Sequence, residues 1–156
     1  MSDRTFEDTR PSGHPRRIRD LGIAGWLMLA DAFAMLAASS IAIRLLPFRR
    51  VVRMAGVSRA IAKPDVETRP IIDRAVWAVE AVAWRVPWRT VCFQKGLALH
   101  LILRRRDIAS RLHYGVGKDE KGDLGAHVWI SVDETIVMGG NVVERYRCLA
   151  TYPAAD

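Results

Sequence analysis

Two cysteines, 11 glycines and 7 prolines in 156 residues are what this sequence has least of, and each scarcity excludes something. Cys92 and Cys148 are too few for the crosslinked framework of a small secreted module, and they lack the short CxxC spacing of a zinc knuckle. Reduced thiols, no metal and a cytoplasmic setting are the expectation. So little glycine and proline rules out a collagen-like repeat or a low-complexity array. Residues 1–20 are charged throughout, without the basic, apolar and small-residue order of a secretory signal. No glycine-rich loop followed by Lys and Ser/Thr is present, so no phosphate cofactor is expected. What remains is a globular composition, 50% hydrophobic, in one domain's length of chain. Lys+Arg 24 against Asp+Glu 17 leaves a net charge of +7, which suits an anionic partner. No aromatic stacking platform sits among the basic residues, and nucleic-acid binding is set aside.

Residues 1–20 combine turn formers with mixed charge and show no apolar period; they read as a mobile arm ahead of a single domain over 21–156. From 21 to 46 the composition becomes almost unbroken apolar, interrupted by Asp31, Ser39, Ser40 and Arg44, and long enough as a helix to cross a bilayer. Two readings stand. Insertion would carry Asp31 into hydrocarbon at about 3 kcal/mol; a helix packed in the core or against a partner avoids that cost. Pro47 ends the run, and 48–56 reads as a short amphipathic extension or a turn. A polar connector over 63–70 follows. Ile72, Ala75, Val76, Val79, Val82 and Ala83 then recur at steps of three and four, predicting an amphipathic helix over 71–84.

Arg85, Val86 and Pro87 interrupt that helix, and a new one follows with Thr90 as its N-cap and Phe93, Leu97 and Leu101 as its buried stripe. It ends at Arg104, Arg105 and Arg106, a solvated cluster that complements the helix dipole. Past Asp107 the period changes to two, with Leu112, Tyr114 and Val116 alternating with His113 and Gly115. Strands over 127–132 and 135–138 flank a turn at Asp133 and Glu134, and 143–152 supplies another. Helices first and an antiparallel sheet second is an α+β layout, with a helical part over 21–84 and the chemistry-bearing part over 85–152.

Cys92 is the first candidate for chemistry. In the opening turn of a helix, unsatisfied N–H groups and the positive end of the dipole favour a thiolate, the nucleophilic form, and the same N–H groups are donors for a developing oxyanion. His127, opening a strand after the flexible stretch 122–126, is the candidate base that meets the thiolate in space. His14, His100 and His113 read as ordinary residues: His14 in the arm, His100 facing out of an apolar helix, His113 in a strand without a thiol neighbour. Cys148 reads as a core residue. Trp88 and Trp129, adjacent to the two candidates, either line a substrate groove or pack the core.

The run Pro87-Trp88-Arg89-Thr90-Val91-Cys92-Phe93-Gln94-Lys95-Gly96-Leu97-Ala98-Leu99, followed by Leu103-Arg104-Arg105-Arg106, Leu112-His113-Tyr114-Gly115-Val116 and Ala126-His127-Val128-Trp129, resembles the leader peptidase of lasso-peptide biosynthesis. That family has a papain-type, transglutaminase-like core. The resemblance covers roughly 85–140, with Arg44-Leu45-Leu46-Pro47-Phe48-Arg49-Arg50 echoing the family's N-terminal part. It implies a cysteine protease that removes the leader from a ribosomally made precursor, with Cys92 attacking and His127 moving the proton. It also implies a separate leader-recognition protein and a partner lasso cyclase, to which any ATP use would belong. The superfamily usually orients its histidine with an Asp on the following strand, but this stretch reads Met138-Gly139-Gly140-Asn141. Asp133, about 20 Å along the strand, fits poorly. Asn141 or a backbone carbonyl is left to orient the ring. The competing reading is a non-catalytic partner protein that docks through 21–46 to a membrane or another subunit, which would make it peripherally membrane-associated.

Overall fold

The computed structural model describes residues 21–56, 67–118 and 122–153. The arm over 1–20 and the part of the connector over 63–66 lie outside the described residues. Among the described residues four α-helices are followed by a four-stranded antiparallel sheet, the α+β order that the change of period predicts.

Helix α1 (Ile23–Leu45) stops where Leu46, forced out of helical geometry by Pro47, turns extended, and its last free N–H still reaches Ala42 O. The short α2 (Phe48–Gly56) buries Val51 and Ala55. Helix α3 (Arg69–Ala83) opens two residues before its apolar period because Pro70 is accepted in the first turn, where no intrahelical N–H is needed. It buries Ile72, Ala75, Ala78, Val79 and Val82, the face the spacing marks.

Helix α4 (Cys92–Arg104) is the middle layer, with α1 and α3 packed on one side and the sheet on the other. Leu97 and Leu101 are buried as expected, but so are Gly96, Ala98, Leu99, Ile102 and Leu103, because a helix covered on all sides needs no wet face. His100 is therefore not turned outward. It is 2% exposed, with Nδ1 2.9 Å from Ser110 Oγ and Nε2 3.0 Å from Ala55 O, tying α4 to α2. Burial lowers its pKa to about 4; the Ala55 carbonyl works against that shift, and the nearby Arg104 adds to it.

The arginine cluster at the end of α4 is also not merely solvated. Arg105 and Arg106 bind the two oxygens of Asp31 at 2.9 and 2.8 Å, and Arg104 donates to Met54 O. The acid that interrupts the apolar run on α1 is thus paired, and the pairing fastens α1 to α4.

Strands β1 (Arg111–Lys118), β2 (Leu124–Val132), β3 (Thr135–Met138) and β4 (Tyr146–Tyr152) lie in the order β3-β2-β1-β4. Asp133, at φ 51°, turns the β2–β3 hairpin where expected. Strand β2 starts three residues before the predicted boundary, since pairing with β1 runs to Lys118↔Leu124. Strand β4 starts three residues after it, because Gly140–Arg145 forms a 3-10 turn. A Cβ placed on Gly96 would stand 2.6 Å from Val128 Cγ1 and 3.6 Å from Ile130 Cδ1, so glycine lets α4 lie directly on β2. By strand alternation Val128 and Ile130 face the helices, while His127, Trp129 and Ser131 face the other side.

Candidate active site

Cys92 lies in the first turn of α4, as predicted, but the cap is Val91 and not Thr90, which makes Cys92 the first residue of the helix. Val91 has extended geometry and no side-chain acceptor, so the helix start is fixed from inside. The buried Gln94 turns its Oε1 back to accept the Val91 N–H at 2.9 Å, one arm of a capping box. The first N–H with an intrahelical acceptor is that of Lys95, bonded to Val91 O. The N–H groups of Cys92 and Phe93 stand ahead of it, where a helix has donors to spare.

The thiol sits at a lateral edge of the sheet. A Cβ on Gly139 would approach Val128 O to 2.7 Å, so that carbonyl points to the side of β2 where β3 ends. Carbonyls two residues apart on a strand point the same way, and the Ala126 carbonyl therefore points to the same edge, beyond the last β2–β3 pairing at Ile130↔Met138. Cys92 Sγ lies 3.9 Å from Ala126 O, at the half-buried start of α4. Ala126 is bonded to His127, so peptide dimensions put the sulfur within about 6 Å of the His127 backbone nitrogen.

The His127 ring reaches this edge from the other face. Its Nε2 is 2.8 Å from Gly139 O, while the ring lies against Tyr146 at 5.1 Å and Trp129 at 6.2 Å between centroids. A carbonyl only accepts, so Nε2 carries the hydrogen and, in the neutral ring, the lone pair is on Nδ1. Of the two groups left open by the sequence, a backbone carbonyl is bonded to the ring. Asn141 sits exposed in the 3-10 turn, and the carbonyl bonded to the ring belongs to Gly139, two residues before it, which adopts φ 77°. Asp133 lies in the hairpin turn at the far end of β2, as the strand arithmetic says.

The tryptophans that flank the two candidates pack against other side chains. Trp88 donates from Nε1 to Ser40 Oγ at 3.2 Å and packs on Phe33, both on α1. Trp129 is 6% exposed and stacked between His113 and His127, with the bare backbone of Gly115 beneath its ring. His113 does have a thiol nearby: its Nδ1 is 3.0 Å from Thr151 Oγ1, which stands 3.7 Å from Cys148 Sγ, and its Nε2 is 2.8 Å from Ser131 Oγ. Burial, followed by the charge of Arg111, lowers the His113 pKa. Cys148 is exposed on β4 and not in the core.

Gln94, Gly139 and Tyr146 escape the sequence reading. Gln at the third position of a helix is a recognisable signal of a box; a glycine whose carbonyl is the useful atom has none. No group of metal-ligating side chains occurs among the described residues. A sequence model described as the Transglutaminase-like superfamily matches residues 35–151. No curated protein and no solved structure matches the chain.

Proposed function

The chain belongs to the Transglutaminase-like superfamily, which includes cysteine peptidases, and from that premise we propose that it is a cysteine peptidase with Cys92 as nucleophile and His127 as base. The observation that carries the reading is the shared edge of β2: a thiol at the mouth of α4, 3.9 Å from Ala126 O, beside a histidine whose Nε2 is occupied by Gly139 O. The ring's free Nδ1 takes the thiol proton as Sγ attacks a scissile carbonyl. The oxyanion that forms meets the spare N–H of Cys92. The imidazolium returns the proton to the leaving amine, a thioester remains, and a water deprotonated by the same nitrogen releases the acid. Gly139 holds the ring through both steps, the part an amide or carboxylate plays in related sites.

The substrate reading is narrower. The leader of a ribosomally made lasso-peptide precursor would be the acyl half, and the core peptide the amine that a partner cyclase receives. What supports it is the joint resemblance of the Cys92, Arg104–Arg106, His113 and His127 segments. A stand-alone recognition protein would present the leader.

Incubation with a synthetic precursor and a candidate recognition protein, read by mass spectrometry, is expected to release leader with the wild type and none with Cys92→Ala, at unchanged circular dichroism. An alkylating reagent is expected to label Cys92 faster than Cys148, although Cys148 is the more exposed thiol. Full release by Cys92→Ala would end the proposal.

A further inference from the structure

Helix α1 is long and apolar enough to span a bilayer, yet Met28, Ala32, Leu36 and Ser39 bury one side of it against the fold. The other side is open. Ile23, Trp26, Leu27, Phe33, Ile41 and Leu45 are all half exposed or more, up to 82% at Ile23. At about 100° per residue they share one strip covering roughly a third of the circumference. Such a ridge of large apolar side chains is not a normal solvent face.

The ridge runs into a second feature. Past Leu45 come the exposed Phe48 and the exposed Arg49, Arg50 and Arg53 of α2, with Arg44 at the end of α1. Phe48, Arg49, Val52, Arg53 and Tyr152 line a cleft of about 350 Å³ between α2 and β4. The charge here is one-sided. Between Asp31 and Asp65 the sequence holds no acidic residue, while Arg44, Arg49, Arg50, Arg53, Arg59 and Lys63 fall inside that interval.

We propose that the outer strip of α1 and the arginine-lined cleft beside α2 form a docking surface for an anionic phospholipid membrane. The ridge is convex and about 35 Å long at helical rise, a shape that suits a flat surface better than it grips a peptide. Its apolar groups enter the acyl boundary with Trp26 at interface depth, as amphipathic monotopic helices do. Guanidinium groups at the cleft meet phosphate headgroups. Contact is peripheral: a spanning α1 would have to leave α3 and α4 and strip Asp31 from Arg105 and Arg106.

The test uses the full chain and sedimentation with vesicles of phosphatidylcholine, with and without phosphatidylglycerol. Binding to the anionic vesicles is expected, weakening as salt rises. The pair Arg49→Glu and Arg53→Glu is expected to lower partition at least tenfold, and Ile41→Asp with Leu45→Asp to lower it comparably. Both pairs sit on exposed positions and are expected to keep wild-type circular dichroism. A blue shift of emission on vesicle addition, lost in Trp26→Phe, locates the contact. No sedimentation with anionic vesicles, or partition unchanged by the arginine reversals, overturns the proposal. So does saturable binding of a labelled acidic peptide by a protein that ignores vesicles.

Discussion

Replacing Gly139 with alanine tests the site without touching either reactive side chain. Gly139 sits at φ 77°, where an L-residue costs about 1–2 kcal/mol. The added Cβ would also stand 2.7 Å from Val128 O and 3.2 Å from His127 Nε2, so the loop must shift and release the ring. The lost hydrogen bond adds about 1 kcal/mol, for a total of about 2–3 kcal/mol. A reacting group displaced by about 1 Å loses on the order of a hundredfold in rate. Gly122→Ala is the control: it has φ 85° but nothing within 4 Å of the new Cβ, so it carries the backbone cost alone. Urea denaturation and the leader-release assay are run on both. The expectation is that both variants lose stability and only Gly139→Ala loses about a hundredfold in release rate. Release by folded Gly139→Ala within threefold of wild type would refute the claim that this carbonyl orients His127.

His100 makes stability depend on pH. Its pKa falls from the ordinary 6.5 to about 4 on folding, so the unfolded chain binds more protons between those values. Its contribution is whole above about pH 6.5 and lost as pH drops toward 4, some 3 kcal/mol in all. Urea midpoints across that window are expected to fall less in His100→Gln, and equal slopes would remove the idea. At the α1–α4 junction, Asp31→Asn is expected to cost about 1–3 kcal/mol, because the carboxylate is 15% exposed and meets two guanidinium groups. Arg106→Ala is expected to cost more than Arg105→Ala, whose side chain is 59% exposed. Thermal melts that reverse that order count against it.

Periodicity and punctuation alone determined much of this molecule. The step from a 3.6-residue to a two-residue period placed helices before the sheet, prolines marked the ends of α1 and the break before α4, and Asp133-Glu134 marked the hairpin. Those signals are local: a turn or a period is complete within a few residues. The same locality put Cys92 at a helix mouth and His127 on a strand.

Tertiary structure decided which groups meet. His100 turned inward because α4 is covered on every side, and no feature of a thirteen-residue helix reveals what lies over it. Arg105 and Arg106 found Asp31 far back in the chain, and β4 gave up its first residues to a 3-10 turn that β1 does not pair. The group bonded to the His127 ring is a main-chain carbonyl. Every residue has one, so the letters at Gly139 distinguish it only by the freedom of its φ; aiming it takes the fold of the hairpin over the end of β2.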